Sequence, residues 1–276
     1  MTVKDILVHV DNDNACRNRI EVAVNLAVLL DANLTGVYVR RHFSFSDHNV
    51  PDSDAMEVVY EDILNDNESE AHSSFNKLTL QGNAEVSWRS SSGSLPNVVV
   101  DEARYCDLLV LGQPDPKDQL SLDEGIAGEI IMSSGCPCLL IPCDREIAML
   151  ARSPLIVWDG SRESSRAVND ALPLLKESCK ATVLIIMHEP TSTAIEDRPD
   201  TMISEHLARH DIDVKVDVSR ESLQSTGDKI LSYADANEHD LIIMGAYGHA
   251  RWREIVLGSA TRAVLKKTKV PVLMSH

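Results

Sequence analysis

Two stretches of this chain end in the same way, and that repetition constrains the fold more than any other feature. "CDLLVLG" (Cys106–Gly112) is followed by "GCPCLLIP" at 135–142, and "HDLIIMG" (His239–Gly245) is followed by "KVPVLMS" at 269–275. The beginnings repeat as well: "ILVHVD" (Ile6–Asp11) matches "LIVWDG" (Leu155–Gly160). The same order at similar spacing points to an internal duplication, with a join near Asp144–Pro154. We therefore expect two domains, 1–146 and 151–276.

Within each half, short aliphatic runs alternate with helical patterns. In the second half, strand Pro154–Trp158 precedes a helix with Ala167, Val168, Ala171, Leu172 and Leu175 on one face. Strands are then expected over Ala181–His188, Ile212–Val218 and Asp240–Gly245, with helices near Thr201–His210, Gly227–Ala236 and Ser259–Lys267. Ser225 with Asp228 three residues on resembles a capping box. In the first half, Ile20, Ala23, Val24, Ala27 and Leu30 form an inward helical face. The acidic stretch after His42 mixes Met56, Val58, Val59, Tyr60, Ile63 and Leu64 with many carboxylates, which predicts a helix with one apolar face. Such alternation predicts a doubly wound parallel sheet (Rossmann-like or flavodoxin-like) in each half. Aromatics make up only 4% of a chain that is 43% hydrophobic, which suits aliphatic strands buried on both faces.

Charge narrows the choice of ligand. Residues 1–149 carry 10 Lys and Arg against 25 Asp and Glu, whereas residues 150–276 carry 16 against 18. Neither half has the basic surface a nucleic acid requires, and the first would repel a polyphosphate. No apolar run approaches the roughly eighteen residues of a membrane span, and no leader with a small-residue cleavage site opens the sequence. A cytoplasmic location is expected. The six cysteines lack zinc or C-x-x-C spacing. Cys136 and Cys138 would sit about 6.5 Å apart on a strand, near the outer limit for a disulfide. They read as small apolar residues.

Ligands of doubly wound sheets lie beyond the carboxyl ends of the strands, so "WDGSR" and "GAYGHAR" are the loops to inspect. Gly245 ends a buried strand, Gly248 permits a close turn, and Gly258-Ser259 opens a helix whose bare N–H groups favour an anion. Ser259 can cap that helix or meet a phosphate oxygen. His249, Arg251 and Arg253 add donors. No G-K-[ST] ends the loop, so it is not a Walker motif. On spacing alone, a plain strand-to-helix connection with turn glycines explains the pattern equally well.

"MGAYGHARWREIVLGSATRAVLKKTKVPVLMSH" resembles the C-terminal signature of the universal stress protein family, in which G-x2-G-x9-G-[ST] binds the ribose and phosphates of ATP. The motif is complete at Gly245, Gly248, Gly258 and Ser259, and "IVWDGSRES" resembles the family's first strand and loop. The resemblance covers nearly the whole chain as a tandem pair. It implies ATP or another adenine nucleotide in the second half, with Mg2+ as an optional companion. Asp159 would lie near adenine and ribose, Met244 and Gly245 under the nucleoside, and Gly248, Arg251, Gly258, Ser259 and the backbone of Ala260 near the phosphates. His188 and Trp158 are bulkier than the family pattern.

The first half departs from the motif. Counting forward from Gly112, Asp115 replaces the second glycine, Gly125 keeps the third and Ile126 replaces the serine; counting back from Pro137 puts Glu124 opposite Gly258. Either way Asp115, Asp123 or Glu124 crowd the helix start, and a degenerate site is expected. No catalytic residue is assigned, since neither His249 nor Glu254 has the spacing of a base, so at most slow hydrolysis is expected. His206 and His210 stand one helical turn apart, but a zinc site needs a third ligand. The family resemblance implies a regulatory interaction module with an unidentified protein partner; a nucleotide-independent scaffold and a slow hydrolase are the alternatives. It also implies pairing of "CPCLLIP" with "VPVLMS", within one chain as a pseudo-dimer or between chains as a homodimer.

Overall fold

The computed structural model describes residues 2–40, 53–80, 82, 84–147, 149–187, 199–220, 225–246 and 258–276. Each half winds a five-stranded sheet. The first contains β1 (Asp5–Val10), α1 (Cys16–Leu30), β2 (Asn33–Arg40), α2 (Ser53–Thr79), β3 (Val86–Ser92), α3 (Leu95–Ala103), β4 (Leu108–Gly112), α4 (Glu124–Ser133) and β5 (Cys138–Ile141). The second contains β6 (Pro154–Trp158), α5 (Arg162–Leu175), β7 (Ala181–Met187), α6 (Pro199–Ala208), β8 (Val214–Arg220), α7 (Thr226–Ala236), β9 (Leu241–Gly245), α8 (Ser259–Lys267) and β10 (Val272–Ser275).

The two sheets are fused into one, in the order β3-β2-β1-β4-β5-β10-β9-β6-β7-β8. Every strand pairing within a half is parallel. The seam is antiparallel, with Val272 opposite Leu140, Leu273 opposite Leu139 and Met274 opposite Cys138. The last strands of the two halves thus pair within one chain. Their opposed directions turn the carboxyl edges of the two halves to opposite sides of the molecule.

Helices cover both faces. α1, α2, α5 and α6 bury Ile20, Phe75, Val168 and Leu207 in one aliphatic layer, and α3, α4, α7 and α8 bury Val99, Ile130, Ile230 and Val264 in the other. The strands between them are apolar on both sides, as sandwiched parallel strands must be. Local signals agree with this packing: Ser225 accepts from the Asp228 N–H at the start of α7, and Lys266 and Lys267 sit in the last turn of α8.

Two features differ from the sequence reading. α2 is a helix, but Val58 and Val59 are 62% and 58% exposed, whereas Leu64, Ala71 and Phe75 are buried. A helix of 27 residues runs about 40 Å, while the eight-residue β2 beneath it runs about 26 Å. Its first turns therefore overshoot the sheet, and the expected single apolar face is only partly used. β3 and α3 gave no clear sequence signal, because β3 is an edge strand of sequence "VSWRSSS".

Candidate nucleotide site and its filled counterpart

In the second half, β6 and β9 are neighbours at the centre of the sheet order, where crossovers depart in opposite directions. That is where a doubly wound sheet opens a crevice. Asp159 follows β6, is exposed, and its Oδ1 accepts the Ser161 N–H at 2.9 Å. Gly160 has φ +73°, a conformation glycine adopts without strain. Ser161 then caps α5 by accepting from the Ser164 N–H at 3.1 Å.

Met244 is buried in β9 and Gly245 ends that strand. A Cβ at Gly245 would stand 2.6 Å from Ser164 N and 2.7 Å from Glu163 C, so the first turn of α5 rests directly on this residue. α8 starts at Ser259, with Gly258 in the capping position, and no side chain caps it among the described residues. Ser259 is exposed and no acid lies in its first turn. The N–H groups at a helix start favour an anion by up to about 2 kcal/mol. α7 fixes this helix, because a Cβ at Gly227 would stand 2.9 Å from the Ala260 carbonyl oxygen and 2.6 Å from Ala263 Cβ. Gly227 is a positioning residue that sequence spacing does not single out.

Asp159, Met244, Gly245, Gly258, Ser259 and Ala260 therefore belong to the strand ends and helix start that follow β6 and β9. Gly248 and Arg251 lie outside the described residues, as do His188, His249, Arg253 and Glu254. Trp158 is half-buried against the aliphatic layer. His206 and His210 meet edge to face with ring centres 5.0 Å apart. No third metal-ligating side chain joins them among the described residues.

The corresponding place in the first half is built differently. α4 starts at Glu124 with Asp123 as its cap, and Asp123 Oδ1 accepts the Gly125 N–H at 2.7 Å. The helix start thus puts Asp123, rather than Gly125 or Glu124, opposite Gly258. An aspartate caps well, which starts the helix earlier than either residue count predicted. Glu124 turns away and pairs with Arg262 at 3.1 Å and Lys266 at 2.8 Å on α8. Asp115 Oδ1 accepts the Lys117 N–H in its own turn.

The larger difference is Arg19. Its guanidinium is fully buried, donating to the His9 carbonyl at 2.7 Å, Asp11 at 2.6 Å and Asp13 at 3.3 Å. A Cβ at Gly112, the counterpart of Gly245, would collide with Arg19 Nη1. Asp11 is the counterpart of Asp159, so the guanidinium lies between the two strand ends that define the crevice. Burial opposes the charge on Arg19, but Asp11, Cys16 and Asp13 outweigh it and hold the group protonated above its ordinary value. Burial likewise raises the Asp13 carboxyl above its usual range, against the pull of Arg19. Asp11, Asp13 and Cys16 could together ligate a cation, but the guanidinium already bonds both carboxylates. At the same spacing from Asp159, the second half has the buried Ala167.

A family model described as the Universal stress protein family matches residues 2–142 and again 153–276. This chain belongs to the universal stress protein family. A universal stress protein from Archaeoglobus fulgidus DSM 4304 superimposes with a TM-score of 0.77 over 99% of this chain and 96% of its own, at 13% identity. A structure from Pseudomonas aeruginosa UCBPP-PA14 reaches 0.62 over 99% and 93%, at 15% identity. At such identities the likeness shows the fold. Among curated relatives, Universal stress protein Slr1230 of Synechocystis is 52% identical over 44 residues, which span 16% of this chain and 15% of that one. The aligned stretch therefore spans far less than half of that relative. No helix of this universal stress protein is long and apolar enough to cross a membrane, among the described residues.

Proposed function

We propose that residues 151–276 bind ATP or a related adenine nucleotide, and that residues 1–146 form a degenerate domain that does not. Asp159, Met244 and Gly245 meet the nucleoside, while Gly248, Arg251, Gly258, Ser259 and the backbone of Ala260 meet the phosphates. The protein then acts in the cytoplasm as a regulatory module that engages a protein partner according to its nucleotide state, with at most slow hydrolysis. The observation that carries this reading is the contrast at the two helix starts. Gly258 gives α8 no capping side chain of its own, whereas Asp123 caps α4 and Arg19 lies across the adjoining strand ends. A phosphate supplies acceptors to the first, whereas the second already has an internal acceptor and an internal cation.

Binding therefore has a stoichiometry of one nucleotide per chain. Calorimetry with ATP on the full chain is expected to give that ratio, and Gly258→Glu is expected to weaken affinity at least about tenfold, because the new carboxylate competes for the same N–H groups. Two nucleotides per chain, no binding, or unchanged affinity in the variant would overturn the reading.

A further inference from the structure

Two cysteines outside both crevices meet at the amino edge of the first half. Cys106 lies in the turn before β4 and Cys136 in the turn before β5, and these strands are parallel neighbours with Leu109 opposite Cys138. Their sulfurs lie 3.7 Å apart. A disulfide bond is about 2.05 Å long, so the sulfurs must approach by roughly 1.7 Å. Both residues are half-buried, so a small oxidant can reach them. The other nearby thiol is different. Cys138 is buried and its Sγ lies 3.3 Å from the Ser134 hydroxyl.

We propose that Cys106 and Cys136 form a dithiol site that a hydroperoxide oxidises reversibly to an intramolecular disulfide. The two sulfurs divide the work. The sulfur–sulfur hydrogen bond shared with Cys106 lowers the Cys136 thiol from its ordinary value, against burial. The same hydrogen bond, with burial, raises Cys106. One sulfur attacks as the thiolate and the other resolves. With Cys136 as the attacker, in the first step its sulfur attacks one peroxide oxygen and the O–O bond breaks; the leaving oxygen takes up the proton that the Cys136 thiol released and departs as water, or as an alcohol from an alkyl hydroperoxide, leaving a sulfenic acid. In the second, the Cys106 sulfur attacks the Cys136 sulfur. The S–S bond forms, the S–O bond breaks, and the hydroxyl leaves as water with the Cys106 proton. Two thiols lose two electrons and the peroxide gains them.

The test treats the full chain with stoichiometric hydrogen peroxide, blocks remaining thiols with an alkylating agent, and measures intact mass without reductant. The expected product has lost about 2 Da before alkylation. Four of the six cysteines should be alkylated, a digest should join the Cys106 and Cys136 peptides, and dithiothreitol should restore six free thiols. Cys106→Ser is expected to convert the product to a sulfenic or sulfinic adduct at Cys136, while Cys138→Ala keeps the cross-link. Wild-type protein that gains oxygen at Cys136 without cross-linking, joins a different cysteine pair, or does not change would overturn the proposal, and that result needs no variant to fold.

Discussion

The two halves share a fold and a strand order but diverge at corresponding side chains. Arg19 and Ala167 stand at equivalent positions on α1 and α5, and both are buried. The alanine itself brings no charge, and the buried acid beside Gly245 is Glu163 in the first turn of α5. The arginine brings a cation whose counterions, Asp11 and Asp13, come from the same loop. The lesson is that one fold and one strand order accept either a small neutral residue or an internally paired cation at the same place on the first helix. The glycines record the same divergence. Gly245 accommodates the backbone of α5, whereas Gly112 accommodates Arg19.

The comparison can be broken most directly at Arg19. Arg19→Ala strands the buried Asp13 and the partly buried Asp11 and is expected to lower stability by about 3–5 kcal/mol, measured by urea unfolding; a loss below about 1 kcal/mol would mean that the guanidinium does not hold the first half together. Next come the paired glycines. Gly245→Ala forces α5 to shift and is expected to cost about 1–3 kcal/mol. Gly112→Ala should cost a similar amount alone and much less in an Arg19→Ala background, and a double-mutant cycle without that coupling would separate the two residues.

A smaller effect concerns Asp123→Gly. Removing the cap while Arg19 remains is expected to change stability by only a few tenths of a kcal/mol and to leave the ATP stoichiometry unchanged in calorimetry. A second bound nucleotide would show that the carboxylate alone had closed the first half. Glu124→Gln weakens the ion pairs that link the halves. Because Arg262 and Lys266 are more than half exposed, the loss should stay within about 1 kcal/mol and vanish at high salt.

The smallest effect is a pH slope. His239 occupies in the second half the place of Cys106 in the first, and burial, opposed by the Ser153 carbonyl and Asp240, lowers its pKa below the ordinary 6.5. As pH falls through 6.5 the unfolded chain takes up the proton first, so this contribution to stability is present above that pH and lost below it. Thermal midpoints of the wild type should fall more steeply below pH 6.5 than those of His239→Gln.

Much of this was legible in the sequence. Periodicity gave β6 and α8 at their observed bounds, and the family resemblance implied pairing of the last strands, which the structure places within one chain. The acids of the first half pointed to a changed helix start, though the capping preference of Asp123 moved its register. What was hidden depends on contacts distant in sequence. Nothing around Arg19 announces that Gly112 leaves room for its guanidinium, and Gly227 reads as an ordinary helix residue until α8 lies against it. β3 was obscured because an edge strand rich in serine carries little apolar signal.

The antiparallel seam also has a kinetic consequence. It joins residues about 130 positions apart in the chain, a separation that slows closure. Until it closes, each half presents a bare aliphatic strand that is complementary to the other half of any copy. Refolding at high protein concentration therefore sets intramolecular closure against exchange between molecules, and dilution favours closure within one chain.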